Sequence, residues 1–521
     1  MTTLIESLFL NDSDVDPLAM AECDCIVIGL GGGDVLRGLA AQVDLRLGGA
    51  ISGAIQRGDV KSDFGSTTLF PVSIDGGPRS LLVVGLGEEE LDRGIAFRLG
   101  GTISRTLSGR QRSLVVLALQ PLLGEGAESG SDDAENRLEE NALETLVAGF
   151  LCGCEGQDLY RDETARHSID RLVILDADTA AIQHGVILGD AINHTRRLVN
   201  EPANVMTPAA MADVALEMAK SSALEVEVWD EQQLKDQRCN AILAVGGGSV
   251  NAPRLVQLRL AGGAPDQAPV VLVGKGVTFD SGGYSLKPGP SMLDMKCDMA
   301  GAATVYGVMH AIAAMGLPIN VVGICGLAEN MVDGAAYRLG DVITTRSGKT
   351  VEIHNTDAEG RVVLSDCLNV ASEMSPDAIV DLATLTGACV VALGTEIVGL
   401  MENDEELLDD IMLAATVEHE RVWPLPMDKM FDEQVKSKVA DLRNVGEGRW
   451  GGAITAAKFL EAFVGDGIPW VHMDIAGPAY ADKPQSHLDA GGTGVMVRTL
   501  VRWLQHRVNE VRSTGTDAIE D

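Results

Sequence analysis

Residues 269–288 read PVVLVGKGVTFDSGGYSLKP. The opening five residues are a Val-rich apolar run of strand length, the pattern of a strand buried on both faces. Beyond Val273 the character of the segment changes. Residues 274–288 place Lys275, Asp280 and Lys287 among Gly274, Gly276, Gly282 and Gly283 and close at Pro288. Glycine allows sharp turns and close backbone approach to a ligand, and α/β sheets gather their sites at the carboxyl ends of strands. The expectation is a strand over 269–273, followed by one polar loop that carries Lys275 and Asp280 and ends at Lys287.

Strand and helix signals alternate on both sides of this segment. Downstream, the periodicity predicts helices over 300–315 and 362–373, and strands over 320–326, 342–345, 350–354 and 378–382. The strands over 342–345 and 350–354 are joined by a Ser-Gly-Lys turn at Ser347–Lys349. Just upstream lie a helix over 208–221 and a strand over 225–229. Further upstream, strands are expected at 25–28, 80–85, 113–119 and 171–175, and helices at 95–107, 138–152 and 179–198. The stretch 124–141, small and acidic, reads as an exposed loop. NEPANVMTP at 200–208 breaks the pattern, so a domain junction is placed near 180–200. The fold class is therefore α/β, an α/β sandwich in each half. The division expected is an N-terminal domain over 1–185, a C-terminal domain over 186–508 with a central mixed sheet flanked by helices, and a polar tail over 509–521. Gly29–Gly33 resembles a dinucleotide loop, but Asp34 takes the third glycine's place and would repel a pyrophosphate; a tight βα turn is the reading. GGGS at 246–249 reads as a strand-end turn.

At 521 residues the chain exceeds what one hydrophobic core normally supports. The formal charge of −36 argues against a nucleic-acid or anionic-membrane partner, which Lys and Arg would have to bind. The first twenty residues carry Glu6, Asp12, Asp14 and Asp16 and no basic region, unlike a secretory signal. No run approaches the ~20 apolar residues of a membrane span. The nine scattered cysteines read as reduced, buried thiols of a cytoplasmic protein.

Two further segments carry chemistry. MKCDMAGAA (residues 295–303) runs into a helix, and Asp298 stands where an N-cap would, so capping is its simplest reading. NTDAEGR (residues 355–361) lies between a strand and a helix; in extended backbone Asp357 and Glu359 point the same way. Gathered in one cleft, Asp280, Asp298, Asp357 and Glu359 with one lysine can surround two divalent cations. That much buried negative charge is costly unless cations offset it.

These segments resemble the leucine aminopeptidase (cytosol aminopeptidase) family. NTDAEGRVVLSD (355–366) is similar to the family signature, and the likeness extends to VGKGVTFDSGGYSLKP (273–288), MKCDMAGAA, RLVNEPANVMTP (197–208), ADLRNVGEGRWGGAITAAKFL (440–460) and HMDIAGPA (472–479). The resemblance covers about residues 190–505. It implies a metal-dependent aminopeptidase that hydrolyses the N-terminal peptide bond of peptides, preferring Leu-like or other apolar first residues. Lys275, Asp280, Asp298 and Glu359 would hold the tighter metal, and Asp280, Asp357 and Glu359 the more exchangeable one. Lys287 would stabilise the oxyanion, and Arg361 would hold a bicarbonate acting as general base. Met295, Thr384 and Gly387 would wall the pocket for the first side chain. Two divalent metal ions per subunit are implied, manganese or zinc foremost, with magnesium or cobalt also compatible. A homohexamer is implied as well. Prolines usual after Met331 and Arg338 are missing, Cys297 replaces an aromatic residue and Ala300 a cysteine; no ligand position is lost. A narrow-specificity dipeptidase of the same chemistry is the alternative within the class. A DNA-binding role, known among bacterial relatives, is opposed by the acidic balance. His354, His472 and His487 are assigned to structure or surface, and Arg443 and Asn444 to a loop or subunit contact.

Overall fold

The structure is a computed structural model that describes residues 3–8, 23–34, 36, 38–72, 77–88, 91–119 and 142–517, with side chains as far as 509. The acidic segment 124–141 lies outside the described residues. The chain divides into two compact units, Met1–Asn193 with Lys483–Ala490, and His194–Asp482 with Gly491–Asp521. The boundary falls inside a long helix, and the first unit takes back a short segment from late in the chain.

In the first unit, strands β1 (Leu4–Leu8), β2 (Cys25–Gly31), β3 (Thr67–Pro71), β4 (Ser80–Gly87), β5 (Arg112–Ala118) and β6 (Ile169–Leu175) form one sheet in the order β1-β6-β5-β2-β4-β3. All pairs are parallel except the β3 edge. Helices α1 (Gly38–Arg46) and α2 (Ala50–Gln56) pack on one face through Val43, Ile51 and Ala54. The other face receives α3 (Arg93–Leu107), α4 (Ala142–Gly153) and α5 (Thr179–Asn200) through Leu99, Ile103, Leu146, Phe150 and Ile182. This is an α/β sandwich whose inner strands are apolar on both faces, as a covered parallel sheet requires.

The second unit opens with α6 (Pro208–Lys220), capped by Thr207, then β7 (Glu225–Trp229), α7 (Glu231–Asp236) and α8 (Asn240–Gly246). It continues through β8 (Arg254–Ala261), β9 (Val270–Asp280), α9 (Gly289–Met292), α10 (Ala300–Met315), β10 (Asn320–Asn330), β11 (Val342–Thr344), β12 (Thr350–Glu352) and α11 (Glu359–Ser372). Then come β13 (Ala378–Ala383), α12 (Gly387–Leu393), β14 (Val398–Glu402), α13 (Glu405–Glu418), β15 (Val422–Pro424), β16 (Leu442–Arg443), α14 (Gly452–Glu461), β17 (Trp470–Asp474), β18 (Tyr480–Ala481), β19 (Gly491–Gly492) and α15 (Val497–Asp517). The main sheet has the order β15-β14-β17-β13-β9-β10-β8-β7. Its centre, β17-β13-β9-β10, is parallel, and its flanks are antiparallel at β14–β17, β10–β8 and β8–β7. Helices α8, α11 and α14 build a core on one face with Val271, Val273, Ile324, Ile379 and Trp470. Helices α6, α10 and α15 pack on the opposite face.

Several expectations are corrected. The strand expected to stop at residue 273 continues to Asp280, so Lys275 and Asp280 stand on the strand and not in a loop. The glycines that suggested a loop serve packing: a Cβ at Gly274 would lie 2.6 Å from the Cα of Ala302 on α10. Gly246–Ser249 ends helix α8, not a strand. The tail expected from 509 remains helical to Asp517, since extending a formed helix adds one hydrogen bond per residue fixed.

Gly301, in the first turn of α10, meets β13 so closely that a Cβ would collide with the carbonyl oxygen of Leu382. Gly301→Ala should therefore lower the thermal unfolding midpoint, with overpacking costing roughly 1–3 kcal/mol against a helix-propensity gain of about 1 kcal/mol. A variant as stable as the parent would refute this packing argument.

Candidate active site

The site lies at the carboxyl ends of β9, β10 and β13. Lys275 and Asp280 are separated by an odd number of positions, which on a regular strand would send them to opposite faces. The register between β9 and β10 slips at Ala328/Glu329, leaving Thr278 unopposed. This bulge restores the phase, so Lys275 and Asp280 join one cluster. Asp298 follows the 3-10 turn Met295–Cys297. It does not cap α10: the N-cap position belongs to Met299, which makes no side-chain cap bond. Asp298 Oδ1 instead accepts from Lys275 Nζ at 2.7 Å and from Thr384 Oγ1 at 2.7 Å. Nor are residues 357–359 extended, as their spacing suggested. Asp357 lies in a turn and Glu359 begins α11, and the turn brings the two carboxylates together.

Salt bridges join the cluster. Lys275 Nζ is 2.9 Å from Glu359 Oε1 and donates to the Thr384 carbonyl at 2.9 Å. Lys287 Nζ stands 2.8 Å from Asp280 Oδ2 and 2.6 Å from Asp357 Oδ1. Ligand-capable oxygens of Asp280, Asp357 and Glu359 all lie within 4.8 Å of one another.

A second set of residues, of which only Asn444 was singled out from the sequence, holds the loops in place. Asn330 Nδ2 donates to Asp280 Oδ1 at 2.8 Å and to the Thr356 carbonyl at 2.9 Å. Tyr337 donates its hydroxyl proton to the same carbonyl, and Thr356 Oγ1 donates to the Gly282 carbonyl. Gly282 has a φ of 85°, and a Cβ there would lie 2.9 Å from Asp357 Oδ1, so this position needs glycine. Asn444, assigned from sequence to a loop or subunit contact, is fully buried. Its Oδ1 accepts from the backbone N–H groups of His354 and Asn355, and its Nδ2 donates to the carbonyls of Asn355 and Ala358. Its own carbonyl accepts from Arg361 at 3.0 Å. One asparagine thus shapes the turn that presents both Asp357 and Glu359. In sequence Asn330 is only the polar end of an apolar run, and Asn444 lies far from the turn it holds.

Four carboxylates, three of them buried and Asp357 half-buried, face two ammonium groups. Burial opposes the charge on Lys275, but Asp298, Glu359 and Asp280 outweigh it and hold the ammonium well above the usual lysine range. Lys287 is likewise raised: burial is outweighed by Asp280 and Asp357. Burial and then the neighbouring Glu359 push Asp280 up to about 6. Burial also raises Asp298 and, more modestly, Asp357. Burial works against ionised Glu359, yet Lys275 wins and holds its carboxyl below the usual range. Asp298 Oδ2 and Glu359 Oε2 are buried with no hydrogen-bond partner. Carboxylate oxygens left bare in a dry cluster are what a cation site requires.

Of the residues predicted from sequence, Lys275, Asp280, Lys287, Asp298, Asp357, Glu359 and Thr384 come together. Arg361 is buried two residues beyond Glu359 on α11, where burial brings its guanidinium down to about 10. Met295 is half-buried in the 3-10 turn, and Gly387 opens α12 on an exposed edge with space where a side chain would be. An open cavity of about 490 Å³ lined by Ser347, Lys349, Asp441 and Leu442 includes none of these residues, and its single carboxylate is bonded to Thr350. The chemistry belongs to the cluster.

An α/β unit that gathers acids and lysines at the ends of its parallel strands is enzyme architecture. Comparison with known proteins makes it a peptidase: the catalytic domain of the cytosol aminopeptidase family matches residues 193–501, and the family's N-terminal domain matches residues 27–161. The chain belongs to the cytosol aminopeptidase family. It is 53% identical over 461 residues to a probable cytosol aminopeptidase of Rhodopirellula baltica, covering 88% of this chain and 87% of that one. Among solved structures it is similar to the bottromycin maturation enzyme BotP in complex with Mn (TM-score 0.81, 34% identity, 93% and 100% coverage). A tomato leucine aminopeptidase mutant is also similar (TM-score 0.83, 31% identity, 97% of both chains). The chain is therefore an aminopeptidase. Among the described residues no helix is long and apolar enough to cross a membrane.

Asn444→Ala would orphan the N–H and carbonyl groups it satisfies, at about 1–3 kcal/mol for a buried group, and release the turn that aims Asp357 and Glu359. Hydrolysis of an aminoacyl p-nitroanilide should fall on the order of tenfold or more, as misplaced catalytic groups do. Unchanged turnover would show that the turn holds its shape alone.

Proposed function

We propose that this chain is a two-metal aminopeptidase that removes single, preferably apolar, N-terminal residues from peptides. The observation that carries the reading is the convergence of Asp280, Asp357 and Glu359 within 4.8 Å, beside bare oxygens on Asp298 and Glu359. Lys275, Asp280, Asp298 and Glu359 would hold one divalent ion, and Asp280, Asp357 and Glu359 the second. The Mn complex of a similar structure favours manganese, and a carboxylate set of this kind also admits zinc, magnesium or cobalt. When bound, such ions supply a water acidic enough to attack at neutral pH and polarise the scissile carbonyl.

The chain's own residues do the rest. Lys275 is an ammonium among acids while no cation is bound, and must give up its proton to act as a ligand. Lys287, braced by Asp280 and Asp357, keeps its charge and stands ready to stabilise the oxyanion that develops on the carbonyl. Arg361, held through Asn444, has a planar fork that would hold a bicarbonate, which would supply a general base. Met295, Thr384 and the side-chain-free Gly387 would wall the pocket for the first residue. The homohexamer and the cytoplasmic location belong to the same proposal, on family likeness.

Metal-stripped protein should be inactive on leucine p-nitroanilide and regain activity with manganese or zinc, while Glu359→Ala stays inactive. Activity that survives both stripping and this substitution would end the two-metal reading. Metal binding should also release protons. Below about pH 6 Asp280 is protonated in the metal-free site, so cation affinity falls as pH drops through that value. Above it Lys275 and the raised carboxyl of Asp298 still exchange protons, and affinity keeps rising. Calorimetric manganese titrations at pH 5.5 and 7.5, in buffers of different ionisation enthalpy, should count more protons at the lower pH; equal affinity and no proton release at both would contradict it.

A further inference from the structure

Behind the cluster lies a polar group that the proposed reaction does not use. Asp381 and His472 face each other across the parallel β13–β17 pair. Both are fully buried. Asp381 Oδ1 lies 2.6 Å from His472 Nδ1, and Oδ2 accepts from the indole N–H of Trp470 at 2.7 Å. The carboxylate therefore locks the imidazole, with Nδ1 bearing the proton it donates to Asp381. His472 Nε2 is buried and has no partner.

The strand's alternation shows which face of the sheet His472 occupies. Trp470 packs in the core shared with Val362, Val363 and Leu364 of α11, and His472 and Asp474 lie on the same face of β17. Arg361 belongs to the same helix, and both Arg361 and Asp474 act electrostatically on His472. Arg361 is anchored by Asn444 at one end of its fork, yet its Nε–H is buried and also lacks a partner. Buried waters in proteins satisfy polar atoms that otherwise lack a partner, and these two lie in the same buried layer. A water oxygen between them would accept the Arg361 Nε–H and would serve His472 Nε2 whether or not that nitrogen carries a proton.

We infer that His472, oriented by Asp381, is a positioning residue that sets the Arg361 guanidinium through one buried water. The inference rests on the reading that Arg361 takes part in the reaction. The test separates the two ring nitrogens. His472→Asn keeps an amide where Nδ1 bonds Asp381 but has nothing at Nε2; His472→Gln places an amide near Nε2.

Expected for His472→Asn is an unfolding midpoint near the parent's, a kcat for leucine p-nitroanilide lower on the order of tenfold with little change in KM, and, in a high-resolution crystal structure, no bridging water and a displaced Arg361. His472→Gln should recover most of kcat and the water. Equal losses in both variants that track a fall in unfolding midpoint would overturn the inference in favour of a purely structural histidine. So would an unmoved Arg361 with undiminished kcat in His472→Asn. Arg361→Lys is the control: if it leaves kcat intact, the role of Arg361 fails and this inference with it, whereas a defect in Arg361→Lys without one in His472→Asn removes this inference alone.

Discussion

Asp280, Asp298 and Glu359, all buried, and half-buried Asp357 crowd around two lysines, and the surrounding architecture is shaped by that crowding. Like charges this close cannot all remain ionised unless something positive lies among them. Lys275 and Lys287 provide that while no cation is bound, each spanning two acids. The arrangement offsets only part of the negative charge, and the oxygens left bare mark where cations enter. A site of this kind has an electrostatic reason to bind divalent ions and a built-in competition with protons for the same oxygens.

Holding such a cluster together demands a rigid frame. The frame is the parallel centre of the main sheet, whose strands end together and are covered on both faces. Gly274 and Gly301 let α10 approach β9 and β13 to backbone contact. Gly360 does the same beside Lys275: a Cβ there would press on the lysine's own Cε. Packing that tight leaves the lysine few alternative rotamers, which keeps its nitrogen between Asp298 and Glu359. Asn330, Thr356 and Asn444 then tie the loops together through bonds to backbone. The acids are therefore held by groups that take no part in the chemistry.

Residue types and their order were open to reading in the chain. The small-residue helix over Ala300–Met315 and the strand Glu225–Trp229 were found where periodicity put them, because local pattern and tertiary burial agree there. The acids and lysines stood out since charged residues beside glycines and apolar runs have few other uses. Misreadings arose where local and tertiary demands part. Glycines in β9 looked like loop formers although they admit a neighbouring helix, and Asp298 looked like a cap although Lys275 and Thr384 claim it. Asp357 and Glu359 converge as foreseen, but by a turn into a helix.

By itself the sequence determined the α/β class, the family and the identity of the charged groups, since each depends on local periodicity or on residues close together in the chain. Tertiary structure alone decided which of those groups meet. The bulge at Thr278 that brings Asp280 into phase with Lys275 depends on pairing with β10. The grip of Asn444 on residues 354–358, and the pairing of Asp381 with His472, join positions about ninety residues apart. Such contacts leave no periodic trace, because neither partner needs the other until the strands between them have folded.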